Sequence, residues 1–484
     1  MAAVRQRRFA MGSANRQEPK EHTQMAQAAG QAYPQAQEEA ARMTTTFAWG
    51  ACLPLAASLC VAAAAGPASP CYRIRLRVDP EARRIEAAAT VLHPQGTTLY
   101  LNEQLEVKRV TGGGADVPFV WDRSADPLPY TQRGRPVHLQ VERLDELTIE
   151  YEGVLAEVEN GVNMVTPDLV ELAYYACWYP VFPGSPDFTF ELQSDLPPRF
   201  TATTNGRRTR VDEGAGRGLA TWESFAPVSD IAVVASPRFH SVASQQESLH
   251  VEVLYAALDS AAVAAKVQRL GQAMAEMRAF FGPPLVPGLL RFVYSPRPGW
   301  GYSRIPLFVV SEGYARSLAE EPFGEAREFH GAAHEMAHFW WMLADPSTPD
   351  DWINEGLAEY SAFRLSLVHF GTVFGDSLLA EYRAHAAAAP ADLAIARTPS
   401  ASEARYVNRY EKTAVMLTEA ARRFGQEHVD QMLAALYTRF APSRRATTEV
   451  FLEEVGSHLG DKARRYFEEC LYRPGWQPHA AGRR

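Results

Sequence analysis

The hydrophobic period of the chain changes character near residue 245, and that change constrains the fold more than any composition figure. Upstream, apolar side chains recur at every second residue. In "YRIRLRV", Tyr72, Ile74, Leu76 and Val78 fall on one side and Arg73, Arg75 and Arg77 on the other, the alternation of a half-buried strand. "VHLQV" and "LTIEY" repeat it, with Leu147, Ile149 and Tyr151 on one face, and "IAVVA" (231–235) is a fully apolar run. "TGGGAD", Asn205-Gly206 and "DEGAGRG" separate these pieces as turns. Downstream, after one more strand, "HVEVLY", the residues Val263, Val267, Leu270, Met274, Met277 and Phe281 recur at steps of three and four. That is one face of a helix, opened by Asp259-Ser260 and stopped by Gly282-Pro283-Pro284. "LLRFVY" returns to strand, and from about residue 325 to near Pro474 the pattern is mainly helical. With 484 residues the chain exceeds one ordinary core. The pattern predicts a multidomain α+β protein, with an antiparallel β-rich domain over 72–245 and an α/β domain over 246–480.

Residues 1–42 are rich in Gln, Ala, Glu and Arg without apolar periodicity and read as a disordered extension, with Met43 as an alternative start. From Phe47 to Ala65 no residue is charged, and Ala63-Ala64-Ala65 fits an A-x-A cleavage site. Residues 43–70 therefore read as a signal peptide, or as an uncleaved segment that attaches the chain to a membrane. Either implies export, to a periplasm or the medium. The net charge of −9 is dispersed along the chain, which argues against a nucleic-acid partner. Five cysteines without a C-x-x-C pair argue against a thiolate zinc site. Of these, Cys71, Cys177 and Cys470 permit one disulfide and one free thiol. Oligomeric state is not legible.

The chemistry concentrates in "EFHGAAHEMAHFWW", Glu328 to Trp341. Positions four apart share a helix face, so His334 and His338 point the same way and can bind one Zn²⁺. Glu335, one residue on, reaches the side of such a metal, where a general base for water belongs. His330 lies on the same stripe. Three ligands from one straight helix would span two turns and enclose an ion poorly, so His330 is read as a non-ligand. A third ligand must come from "DDWINEGLAEYSAF", where Pro349 and Asp350-Asp351 suit a helix start. Glu355 and Glu359, one turn apart, are the two candidates.

"HEMAH" followed by "WINEGLAEY" resembles the H-E-x-x-H and W-L-N-E-G-F-A signatures of the gluzincin aminopeptidases, typified by membrane alanyl aminopeptidase and leukotriene hydrolase. The resemblance implies that His334, His338 and Glu355 bind one zinc ion and that Glu335 is the base. It implies a thermolysin-like catalytic domain behind the β-rich one, and a peptide substrate. Sixteen residues separate His338 from Glu355, two fewer than is usual in that family. Tyr410-Glu411-Lys412 is similar to the family's Y-E-K-G segment, whose Tyr stabilises the oxyanion of amide hydrolysis, so Tyr410 takes that role and Tyr406 is its rival. Thr413 stands where the family has Gly. "AYYACWYPVFPG" and "YFEECLYRPGWQP" extend the similarity over about residues 72–478. The large C-terminal helical domain of many members has no counterpart here, which implies a more open site.

One departure bears on specificity. An aminopeptidase must grip a free ammonium, and carboxylates do so. The family's G-x-M-E-N strand corresponds to Gly301-Tyr302-Ser303-Arg304-Ile305, which places Arg304 where the Glu belongs. A cation there would repel an ammonium and attract a carboxylate. The second family anchor, nine residues before a Pro, corresponds to Glu171 counted back from Pro180, and Glu312 is a further compensating candidate. The expectation is a zinc metallopeptidase, aminopeptidase-like but with altered amine recognition. A non-peptidase hydrolase on the same site and a zinc-bearing binding protein without turnover are the alternatives.

Overall fold

Strand alternation becomes burial in the computed structural model, which describes residues 69–477 except 156–162, 186, 213–217, 247–248, 285–287, 300 and 391–392. The expected leader or anchor lies outside the described residues up to residue 68. In the strand Cys71–Asp79, Tyr72, Ile74, Leu76 and Val78 are buried while the arginines face out. This strand is central to an eight-stranded sheet, antiparallel to Arg84–Leu92 and parallel to Thr189–Leu196. The other pairings of that sheet are antiparallel. Leu147, Ile149 and Tyr151 of the strand Glu146–Val154 face the same core. Smaller sheets of four and three strands complete the β-rich part.

A mixed five-stranded sheet begins at the strand His240–Gln246 and continues with Leu249–Tyr255, Leu289–Ser295 and Leu307–Ser311. The last three are mutually parallel, and the short strand Tyr302–Arg304 closes one edge antiparallel to Leu307–Ser311. Helix α1 (Ser260–Phe281) covers one face. Asp259 caps it by accepting from the Ala262 amide at 2.9 Å, and the six apolar residues of its stripe are buried. At about 1.5–3 kcal/mol per fully buried side chain, that stripe contributes on the order of 10 kcal/mol of gross burial free energy before conformational entropy is subtracted.

The helices α2 (Glu312–Ala319), α3 (Gly324–Ala337), α4 (Trp352–Ala388), α5 (Lys412–Phe424), α6 (Gln426–Phe440), α7 (Thr448–Leu459) and α8 (Asp461–Tyr472) follow. Helix α4 is not straight. At Gly371 the backbone takes φ 77°, ψ 179°, a region essentially confined to glycine. After it the chain folds back. A Cβ on Gly375 would lie 2.2 Å from Leu367 Cδ2, and Tyr382 reaches Glu359. A continuous helix would hold those last two about 34 Å apart.

A third apolar cluster joins the two parts. Leu169, Ala173, Val234 and Phe239 pack against Leu254, Val293, Leu307 and Val309, and the described residues fall in one compact unit. The three described cysteines are free thiols, so the disulfide that their number permits is not formed. Among the described residues no helix is long and apolar enough to cross a membrane.

Candidate metal centre

Helix α3 carries His330 and His334 on a face that meets α4, and His338 follows as its C-terminal cap in helical conformation. Its opposite face, with Phe329, Ala333, Met336 and Ala337, is core. Gly324 opens the helix against α2, where a Cβ would fall 1.9 Å from the Leu318 carbonyl oxygen, so only glycine fits there. His334 and His338 are both buried. Their Nε2 atoms lie 3.4 and 3.5 Å from Glu355 Oε2. His334, His338 and Glu355 each offer one ligand atom within 4.8 Å of the others.

The remaining ring nitrogens decide whether this triad suits a metal. His338 Nδ1 lies 3.1 Å from the Trp341 carbonyl, which can only accept, so that nitrogen carries the proton. His334 Nδ1 faces Glu359 Oε2 at 2.7 Å, again an acceptor. Both imidazoles in their neutral form therefore present unprotonated Nε2 lone pairs toward Glu355, as a zinc ligand must. Burial disfavours charge on both partners, yet the imidazoles hold the Glu355 carboxyl far below the ordinary range, and the carboxylates push His334 and His338 up. Two imidazoles and a carboxylate in a buried, net acidic pocket fit Zn²⁺ by donor type and by field.

Glu359 is thus not the third ligand of this set. It stands behind His334, and His330 stands behind Glu359, with Nε2 2.8 Å from Glu359 Oε1. Glu355 is held by residues that motif reading passed over. Asn354 Oδ1 accepts from the amides of Leu343 and Ala344 at 2.7 and 3.0 Å, tying the start of α4 to the chain leaving α3. The connecting segment turns through Asp345–Thr348 and a 3₁₀ turn, Pro349–Asp351, so its shortness moves neither helix away from the other.

Tyr410 lies in a π-helical turn, Val407–Glu411, ahead of α5. Such turns are rare and often mark functional positions. Its ring stacks on that of His334 with centroids 5.5 Å apart and 9° between planes. Burial, then the Glu355 charge, pushes its hydroxyl well above the usual tyrosine range, which keeps it a proton donor. Tyr406, the rival, is 53% exposed and lies against the Tyr410 ring with centroids 4.8 Å apart. The turn is anchored by Arg409. Its guanidinium is fully buried and reaches Asp351 Oδ2 (2.8 Å) and the Thr398 carbonyl (2.7 Å). Thr413 fits because it faces Gly356, where a Cβ would meet its Cγ2 at 2.3 Å.

Glu335 is half-buried on the side of α3 nearest the edge strand. A Cβ on Gly301 would lie 3.4 Å from its Oε1, and Ser303 Oγ donates to its carbonyl at 2.9 Å. Ser303 and Arg304 of that strand line a cleft of about 60 Å³ together with Asp230, Arg444 and, of the metal-site residues, His338.

The amine anchors read from sequence are placed differently from expectation. Glu171 is completely buried, with Oε1 2.7 Å from Arg297 Nε and Oε2 2.6 Å from Ser295 Oγ, so its carboxylate serves an internal ion pair. Glu312 is likewise internal, its Oε1 accepting from the amides of Ala256, Ala257 and Leu258. Arg304 does line the cleft, but it is not a bare cation. Its Nε donates to Asp230 Oδ2, and its guanidinium lies over the rings of Tyr175 and Tyr302 at 5.1 and 5.3 Å. Asp230 is itself fixed by the Tyr174 amide, the Tyr179 hydroxyl and the Ile231 amide.

No protein-family model and no curated protein matches the chain. Solved structures do match by fold. The M1 zinc metallopeptidase from Deinococcus radiodurans is 18% identical and covers 86% of this chain and 96% of its own, with a TM-score of 0.66. A mutant of that enzyme bound to a Tyr-Ser-Ala substrate gives 17% identity, 84% and 95% coverage and a TM-score of 0.67. A two-domain M1 zinc metallopeptidase mutant bound to L-tryptophan gives 17%, 85%, 96% and 0.63. The chain therefore has the fold of the two-domain M1 zinc metallopeptidases, the gluzincin aminopeptidase architecture that its histidine helix resembles.

Proposed function

We propose that the chain is a zinc-dependent metallopeptidase that hydrolyses peptide bonds, aminopeptidase-like in architecture but with altered amine recognition. The observation that carries this is the geometry of two buried imidazoles, their Nδ1 atoms both engaged and their Nε2 atoms both turned to Glu355. His334, His338 and Glu355 would hold one zinc ion. When bound, the ion supplies Lewis acidity to water and to the scissile carbonyl. Glu335 takes the proton of the attacking water as the new C–O bond forms, then returns it to the leaving amine as the C–N bond breaks. The Tyr410 hydroxyl donates to the carbonyl oxygen as it becomes negative. The edge strand, whose outer side no other described strand pairs, gives an extended peptide a backbone to lie against.

Amine recognition is proposed to be altered because both residues at the expected anchor positions carry internal partners, Glu171 with Arg297 and Arg304 with Asp230. Export is proposed from the apolar segment 47–65 alone, and N-terminal sequencing of the mature protein tests it.

The deciding experiment incubates the purified protein with a peptide mixture, with and without chelator, beside Glu335→Gln. Metal analysis should return about one zinc per chain. Cleavage should vanish with chelator, return with zinc, and fall about 10²–10⁴-fold in the variant. Cleavage that ignores chelator and variant alike, or none at all, defeats the proposal.

A further inference from the structure

A buried polar cluster stands behind His334, on the side away from Glu355. Glu359 is its hub. Oε2 meets His334 Nδ1 at 2.7 Å, and Oε1 meets His330 Nε2 at 2.8 Å. The Tyr382 hydroxyl donates to the same Oε1 and lies 3.1 Å from His330 Nε2. His330 Nδ1 lies 3.1 Å from Ser366 Oγ. His330, Glu359, Ser366 and Tyr382 are all buried. The proton pattern follows. Glu359 only accepts, so His330 Nε2 carries its hydrogen and Ser366 donates to Nδ1. The carboxylate that receives His334 is thus fixed from behind by an imidazole and a phenol.

Tyr382 belongs to the half of α4 that returns after Gly371. The same half brings His385 Nδ1 to Glu411 Oε1 at 2.8 Å, beside Tyr410 in sequence. A straight α4 would carry both side chains away from the centre.

We infer that His330, Glu359 and Tyr382 are positioning residues that set the His334 ring for metal, with the half-helix after Gly371 as their strut. This rests on the zinc reading above. A histidine ligand needs its Nε2 unprotonated and aimed, and the partner at Nδ1 fixes both. An acidic partner also raises the basicity of the ligating nitrogen. Glu359 alone, on a side chain with three rotatable bonds, would set the ring loosely. Two donors on its other oxygen remove that freedom, and a fully satisfied network holds its geometry.

The test measures the zinc dissociation constant by competition with a chromophoric chelator, for the unaltered protein, Tyr382→Phe, Glu359→Gln and Tyr360→Phe. Tyr360 is the control, a buried tyrosine on the same helix whose hydroxyl accepts from Gln426 at 2.8 Å, outside the cluster. Zinc binding should weaken about 10–100-fold in Glu359→Gln. It should weaken several-fold in Tyr382→Phe and stay put in Tyr360→Phe. Equal constants for the unaltered protein and Tyr382→Phe overturn the inference and leave the zinc reading standing. Equal weakening in Tyr382→Phe and Tyr360→Phe overturns it too, since general loosening then explains the effect. An unaltered protein that takes up no zinc defeats the zinc reading, and this inference with it.

Discussion

Tyr410 does two things with different parts of its side chain. The ring packs face to face on His334, and the hydroxyl is the donor proposed for the carbonyl oxygen. Tyr410→Phe separates them, because it keeps the stack and removes only the O–H. Loss of one such donor typically costs about 10²–10³ in kcat. The expected outcome is that fall in kcat, with zinc content and melting temperature unchanged. Steady-state kinetics beside metal analysis and a thermal melt checks it, and a variant that loses zinc would assign Tyr410 to the scaffold. The residue scale is also where sequence was most informative. His334, Glu335 and His338 are legible because their relation is local, one turn of one helix. The residues alone left Glu355 and Glu359 open, and the family resemblance took Glu355. Both are acidic and one turn apart, and only the packing of α4 on α3 shows that one faces the Nε2 atoms and the other Nδ1.

At the scale of elements, α4 departs most from what pattern alone conveys. Its sequence "SLVHFGTVFGDSLLAEY" contains no proline, so nothing forbids a continuous helix. The fold-back depends on the backbone that Gly371 can adopt. Gly371→Ala places a Cβ in a region other residues avoid, at about 1–3 kcal/mol. Either the protein loses that stability with the fold-back intact, or the second half straightens and takes Tyr382 and His385 from Glu359 and Glu411. The packing of Phe374, Leu378 and Leu379 in the core favours the first. The expected outcome is a urea midpoint lowered in proportion, with the slope of the transition unchanged. A changed slope would show that the native state had opened. The strands and α1, by contrast, follow directly from their periods of two and of three to four, since each period sorts side chains between core and solvent within one element.

At the scale of the whole molecule, the ion pairs at the expected anchor positions join distant parts of the chain. Glu171 meets Arg297 across 126 positions, and Asp230 meets Arg304 across 74. Neither is visible to a reading that scores residues against neighbours, which is why Arg304 looked like an uncompensated cation and Glu171 like a free anion. The β-rich part supplies one acid to each pair. Asp230 neutralises Arg304 on the cleft wall, and Glu171 neutralises Arg297 in the interior. A carboxylate that truly gripped an ammonium would make its loss costly. Truncating one partner of a buried, hydrogen-bonded charge pair costs about 2–5 kcal/mol, a factor of about 30 or more. With Glu171 held by Arg297 and Arg304 by Asp230, no such penalty should appear. N-acetylating a cleaved peptide should change kcat/KM by less than about 10-fold. The measurement pairs each peptide with its acetylated twin, in protein confirmed to hold zinc. A loss of about 30-fold or more across several pairs would mean that an anchor exists, and that one of these ion pairs opens when substrate arrives.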